Sequence, residues 1–210
     1  MKCLPIWFVL PMLLMVGCSK SLDSPTHVAA VPATLSAEVQ KDAIQLGKSI
    51  AAETFSLLSS NLQTAIQQDG VSNALPFCSL AASPLTASMA GKHGVTIRRI
   101  THKPRNPAGR ADITELAILN HFEAALTNTN SPPPLVTNFT ASTATFFAPI
   151  ILNNELCLKC HGEPGKDISS ENVALIAHLY PQDEATGFKL GQLRGAWRID
   201  IPLASLPRAR

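Results

Sequence analysis

The chain has 210 residues, of which 46% are hydrophobic, 15% charged and 5% aromatic. That composition suits one folded domain with an appendage and excludes a disordered polymer. Lys and Arg number 17 against 15 Asp and Glu, a net charge of +2, too little to build a basic face, so no nucleic-acid partner is expected.

Met1-Lys2 precede an almost wholly apolar run over residues 4–16 and then Gly17-Cys18-Ser19, the charged start, short apolar core and small-residue cleavage site of an export signal. The run is too short to span a bilayer comfortably. A Cys directly after Val16-Gly17 resembles the lipobox of bacterial lipoproteins, with Met15 where Leu is usual. Residues 1–17 are therefore expected to be removed and Cys18 to be lipidated, placing the mature chain in the periplasm on a membrane. Ordinary cleavage, leaving a soluble periplasmic protein, is the alternative. Residues 18–35, rich in Ser, Pro, Thr and Ala without apolar period, read as a flexible tether. Residues 36–210 read as the folded domain.

Within that domain, Ser36 suits a helix N-cap, and Val39, Ala43, Leu46, Ile50, Phe55, Leu58, Leu62 and Ile66 keep the spacing of one long amphipathic helix over 37–68. Asp69-Gly70 should stop it. A shorter helix is predicted over 84–90, ended by Gly91, and a β-branched strand over 95–100. After the turn-like Lys103-Pro104-Arg105-Asn106-Pro107 come a helix over 112–126, a loop over 128–134, and strands over 135–139 and 143–152 bearing Phe146-Phe147. Ser169-Ser170-Glu171 open a helix reaching Tyr180, and residues 195–203 form a last strand. Helices first and antiparallel strands after give an α+β domain with a long N-terminal helix, with no repeat and no second domain.

Of five Cys, Cys3 lies in the signal and Cys18 at the anchor. Cys78, Cys157 and Cys160 remain, an odd set that cannot pair wholly within the chain. Cys157-Leu158-Lys159-Cys160-His161 has the attachment spacing of c-type haem. On a short helical turn two thiols reach one porphyrin edge while the adjacent imidazole swings under the iron. A chance match has a probability on the order of one in a thousand at average residue usage, and the export signal agrees with it, because such attachment takes place outside the cytoplasm. A thioredoxin-type CxxC and a zinc site built from Cys157, Cys160, His161 and Cys78 are the competing readings. For a second axial ligand the sequence offers Cys78, Met89, His93, His102, His121 and His178. Cys78 stands out as the unpaired thiol beside Leu75-Pro76-Phe77, with a small buried hydrophobe as its bland alternative.

Cys78-Ser79 and Ala82, Arg98-Arg99 through Lys103 to Arg105-Asn106-Pro107, Glu115, the haem motif with Gly162, Tyr180-Pro181-Gln182-Asp183 with Ala185 and Gly187, then Gly191 and Arg194-Gly195-Ala196 together resemble the PAS-like haem c domains of bacteria. These occur as stand-alone exported proteins and as sensor regions of membrane histidine kinases. The resemblance spans residues 40–203. It implies a PAS-like antiparallel sheet flanked by helices, one covalently bound haem c against the sheet, and axial ligation by His161 and Cys78. Gly109, where the family often has Asn, Gln192, where it has an acid, and the bulky Trp197 depart from the pattern. Arg105 and Arg194 are candidate contacts for haem propionates, since a guanidinium binds carboxylate bidentately; a solvated surface Arg or a structural turn contact is the other reading for each.

Thiolate ligation stabilises ferric iron and holds the potential low, and two protein ligands leave no open position for a substrate. No carboxylate pair, Ser-His-Asp set or phosphate loop competes, so no enzyme is expected. The expected role is single-electron transfer with redox partner proteins in the periplasm. The alternative is a haem-based redox or diatomic-gas sensor signalling through a separate protein.

Overall fold

The computed structural model describes residues 35–207; the expected signal segment, Cys18 and the tether to residue 34 lie outside the described residues. Ser36 caps the first helix, its hydroxyl accepting from the Val39 N–H, and helical hydrogen bonding continues as α1 (Ala37–His93). It is not one rod. Gly70 takes φ 79 and ψ 175, a conformation that only glycine adopts without strain. Glu53 pairs with Lys92, and its other oxygen lies 2.8 Å from His93 Nε2. In an unbroken helix the 39 residues from Glu53 to Lys92 would hold these groups about 58 Å apart. The chain therefore doubles back at Gly70 as a hairpin of two antiparallel arms.

The stop at Asp69-Gly70 is where the sequence places it, but the second arm corrects the short helix predicted over 84–90, because it runs from residue 71 to His93 through Pro76 and Pro84. Each proline removes a helical hydrogen bond, a cost of about 3 kcal/mol in a helix interior. Tertiary packing offsets it. Leu75 is buried against Ile168 and Ile176, and Met89 lies in the core with Val39, Ile50 and Phe146.

The sheet has four antiparallel strands in the order β1-β4-β3-β2, with β1 (Thr96–Ile100), β2 (Leu135–Thr140), β3 (Thr143–Ile151) and β4 (Leu193–Pro202). Strand alternation sorts its side chains to two faces. Ile97, Phe146, Trp197, Ile199 and Ile201 pack with α1. Ile100, Phe147 and Ala196 pack with Leu119 and Phe122 of α2 (Ile113–Leu126). Asp112 and Glu115 close a capping box at the start of α2. The fully buried Glu115 Oε1 also accepts from Arg98 at 3.0 Å and Arg198 at 2.8 Å, which fastens the helix to β1 and β4. Two short helices follow β3: α3 (Glu155–His161), capped by Asn154, and α4 (Ser170–Leu179), capped by Ser169 and packed on α1. The architecture is thus the expected α+β one, with a long N-terminal helical element and an antiparallel sheet. No helix among the described residues is long and apolar enough to cross a membrane.

Gly47 is what lets α1 lie on the sheet, because a Cβ there would stand 2.3 Å from the Phe146 ring. Gly47→Ala should lower stability by about 1–3 kcal/mol through overpacking. In urea unfolding that appears as a lower midpoint at unchanged slope; an unchanged midpoint would show that the helix has room to retreat.

Candidate functional site

Asn154 accepts the Leu156 N–H and starts α3, and Gly162 ends it by donating its N–H to Leu158 O. On this single turn Cys157, Cys160 and His161 fall at i, i+3 and i+4, one face of a helix. Both motif thiols are free and half-buried. Cys157 packs with Leu152, Ala185 and Phe188, and Cys160 with Leu75, Ile168 and Ile176.

The loop after α4 runs beside the motif, with the Gly187 N–H donating to Gly162 O at 2.8 Å and the Phe188 N–H to His161 O at 2.9 Å. This places Ala185 O 2.8 Å from His161 Nδ1. A carbonyl only accepts, so Nδ1 carries the hydrogen and Nε2 keeps a free lone pair. The Phe188 ring stands edge-on to the imidazole, 6.3 Å between centroids at 85°. Desolvation, then the cations Arg194 and Arg105, push the His161 pKa well below its ordinary 6.5. The imidazole is neutral.

Positive charge surrounds this group. Arg194 Nη1 donates to Thr101 Oγ1 at 3.0 Å and to Lys103 O at 3.1 Å, while its buried Nε has no hydrogen-bond partner among the described residues. Burial, with Arg105 and Arg99 alongside, brings its pKa down to about 10. Its guanidinium lies 5.4 Å from the Phe188 centroid, Lys103 Nζ lies 4.6 Å from the same ring, and Arg99 lies 6.0 Å from Trp197. Arg105 engages both carboxylate oxygens of Asp183 at 3.1 Å.

Cys78 sits on the second arm of α1. Burial raises its thiol pKa, and Arg99 and Arg105 oppose that rise. Leu75, three residues earlier on the same arm, packs in one cluster with Cys160, which brings this arm to the motif's side of the fold. The other sequence candidates lie elsewhere. Met89 is 5% exposed in the core under the sheet, His93 pairs with Glu53, and His102 stands 3.6 Å from Glu123. His121 and His178 are exposed. Among the described residues no three His, Cys, Asp or Glu side chains converge as a metal-holding group, so the four-ligand zinc arrangement is not assembled. Burial also pushes the Cys160 thiol up to about 11. An open cleft of about 560 Å³ beside Phe188, lined also by Lys103, Glu123 and Leu193, includes none of the motif residues.

Sequence reasoning assigned no role to Ala185, Asp183 or Phe188. Ala185 acts through its carbonyl, which leaves no side-chain signal. The bond between Asp183 and Arg105 joins positions 78 residues apart, beyond any periodicity.

Because the folded His161 pKa lies below the unfolded one, the unfolded chain binds more protons as pH falls through about 6.5. The neutral imidazole's contribution to stability is present above that value and lost below it. Haem-free protein should therefore lose more unfolding free energy between pH 7.5 and 5.5 than its His161→Phe variant does. Equal losses in urea titrations at the two pH values would show that His161 is not desolvated.

A family model described as Tll0287-like matches residues 31–202. Among solved structures, the crystal structure of the cyanobacterial heme-protein Tll0287 is similar at 23% identity with a TM-score of 0.52, over 75% of this chain and 94% of that one. At this identity the likeness shows a shared fold. No curated protein matches the chain.

Proposed function

The chain belongs to the Tll0287-like family, and from that premise we propose that it is a haem protein whose single haem c is bonded to Cys157 and Cys160, with His161 and Cys78 as axial ligands, and which passes single electrons between periplasmic redox partners. The solved relative is a heme-protein, and the residues here suit such a group on their own chemistry. The observation that carries the reading is the His161 Nδ1–Ala185 O bond of 2.8 Å. It fixes a neutral imidazole with Nε2 free, on the same helical face as two unpaired thiols.

Bound haem supplies a one-electron iron couple. The protein's part is to ligate and enclose it. His161 would offer Nε2 from α3, and Cys78 would supply sulfur from the second arm of α1. Arg194, with its buried Nε unpartnered among the described residues, has a donor to give a propionate carboxylate; Arg105, largely engaged by Asp183, is the lesser contact. Leu75 and Ile176 pack beside Cys160, and Phe188 beside Cys157. With His161 and Cys78 both taken up in holding the group, no open position for a substrate would be left, and no enzymatic activity is assigned. The mature chain is proposed to begin at a lipidated Cys18 and to stand in the periplasm.

Intact mass spectrometry of the membrane-fraction protein should show one haem and a diacylglyceryl-modified Cys18 terminus, and the haem should resist extraction into acidified organic solvent. Cys157→Ala and Cys160→Ala should each cut haem content severalfold. Free extraction of haem from the wild type would refute the attachment, and an unmodified terminus at another residue would refute the anchor.

The second reading is a sensor in which Cys78 leaves the iron on reduction, since thiolate binds ferrous iron less well. Pro76 and Pro84 favour it, because each removes a backbone donor from the arm on either side of Cys78. Carbon monoxide titration of the reduced protein decides between the two. A carrier should refuse carbon monoxide while Cys78→Ala binds it; a wild type that binds as readily as the variant is a sensor. An unchanged ferric spectrum in the variant would remove Cys78 from the ligand set.

A further inference from the structure

Arg105 follows β1 on a loop and is 12% exposed, and its partner Asp183 is 7% exposed. Its Nε and Nη2 hold the two Asp183 oxygens at 3.1 Å each. Nη2 also donates to Cys160 O at 2.6 Å and approaches Ala185 O at 3.4 Å. Asp183 Oδ1 in turn accepts the Ala185 N–H at 2.9 Å. One guanidinium therefore ties the peptide just before His161 to the peptide whose carbonyl receives the His161 Nδ1 hydrogen. The Tyr180 ring, 5.7 Å from the Arg105 guanidinium carbon, backs it. The geometry points to Arg105 and Asp183 as a positioning pair that sets the His161–Ala185 hydrogen bond and, through it, the donor strength of His161 towards iron, an inference that rests on the haem reading above.

The physical route is short. A firm acceptor on Nδ1 makes the imidazole electron-rich, and an electron-rich axial ligand favours oxidised iron. Releasing Ala185 should weaken that preference and raise the reduction potential. A simple field effect behaves differently. Removing the Arg105 cation would disfavour the added electron and lower the potential, removing the Asp183 anion would raise it, and Arg105→Lys, which keeps the charge, would leave it unmoved.

The test uses the haem-loaded full chain with Arg105→Lys, Arg105→Gln and Asp183→Asn. Lys cannot span the three acceptors as a guanidinium does, and it is the mildest of the three should Arg105→Gln fail to fold. All three variants should raise the midpoint potential, each tenfold loss of ferric preference reading as about 59 mV for one electron. The Arg105→Gln/Asp183→Asn double variant should shift no further than the larger single, because one unit is being broken twice. Opposite signs for the Arg105→Gln and Asp183→Asn variants, with Arg105→Lys unmoved, would overturn the inference in favour of the charges alone. A second readout needs no haem: hydrogen exchange at the Ala185, Gly187 and Phe188 amides should quicken about tenfold in each variant. Unchanged exchange overturns the pair's positioning role even if haem is bound. A wild type without haem would instead sink the haem reading, while the exchange rates still judge the pair.

Discussion

A neutral imidazole enclosed among guanidinium groups needs an orienting acceptor that is fixed in place, and in this protein the Ala185 carbonyl supplies it. Much else depends on where that one oxygen stands. The loop carrying it is bonded by main chain to His161 and Gly162. Asp183 anchors its start, and Asp183 is held from the opposite side by a residue just beyond β1. The location of β1 is in turn dictated by β4, with which it pairs from Thr96–Asp200 to Ile100–Ala196. The position of a single lone pair is thus traceable to sheet register.

The ion pairs contribute unequally to this. Glu115 is wholly buried and accepts from Arg98, Arg198 and the Asp112 N–H, so its carboxylate is well satisfied. Removing one partner from such a buried set costs about 3–5 kcal/mol, because a charge is left uncompensated. The pair of Arg110 with Glu184 is exposed on both sides, and such pairs contribute between zero and about 1 kcal/mol. The first ties a helix to the sheet; the second decorates the surface.

The apolar period of the first arm, the break at Gly70, all four strands and the caps at Ser36 and Ser169 were legible in the sequence, because each is a local pattern. The helix through Pro76 and Pro84 was not, since proline argues against it and only contact with Ile168 and Ile176, nearly a hundred positions away, outweighs the lost hydrogen bonds. The fold-back of the two arms was equally hidden, as it becomes visible only through Glu53 meeting Lys92 and His93. At the site, Cys157, Cys160 and His161 announced themselves by spacing. Arg105 was noticed for its charge, but its partner lies 78 residues further on, and a carbonyl acceptor has no letter in the sequence.

The strand order also has a temporal meaning. β4 is an inner strand, inserted between β1 and β3, yet it is the last strand in the chain. As the chain emerges N-terminus first, β2 and β3 can pair as soon as they appear, but β1 has no partner strand until residues 193–202 arrive. Cys157 and Cys160 emerge before that closure, when β1 and the residues following it, Arg105 among them, are still unplaced. Chemistry at those thiols consequently has an open interval, bounded by the arrival of the strand that completes the sheet, in which access is not limited by the finished fold.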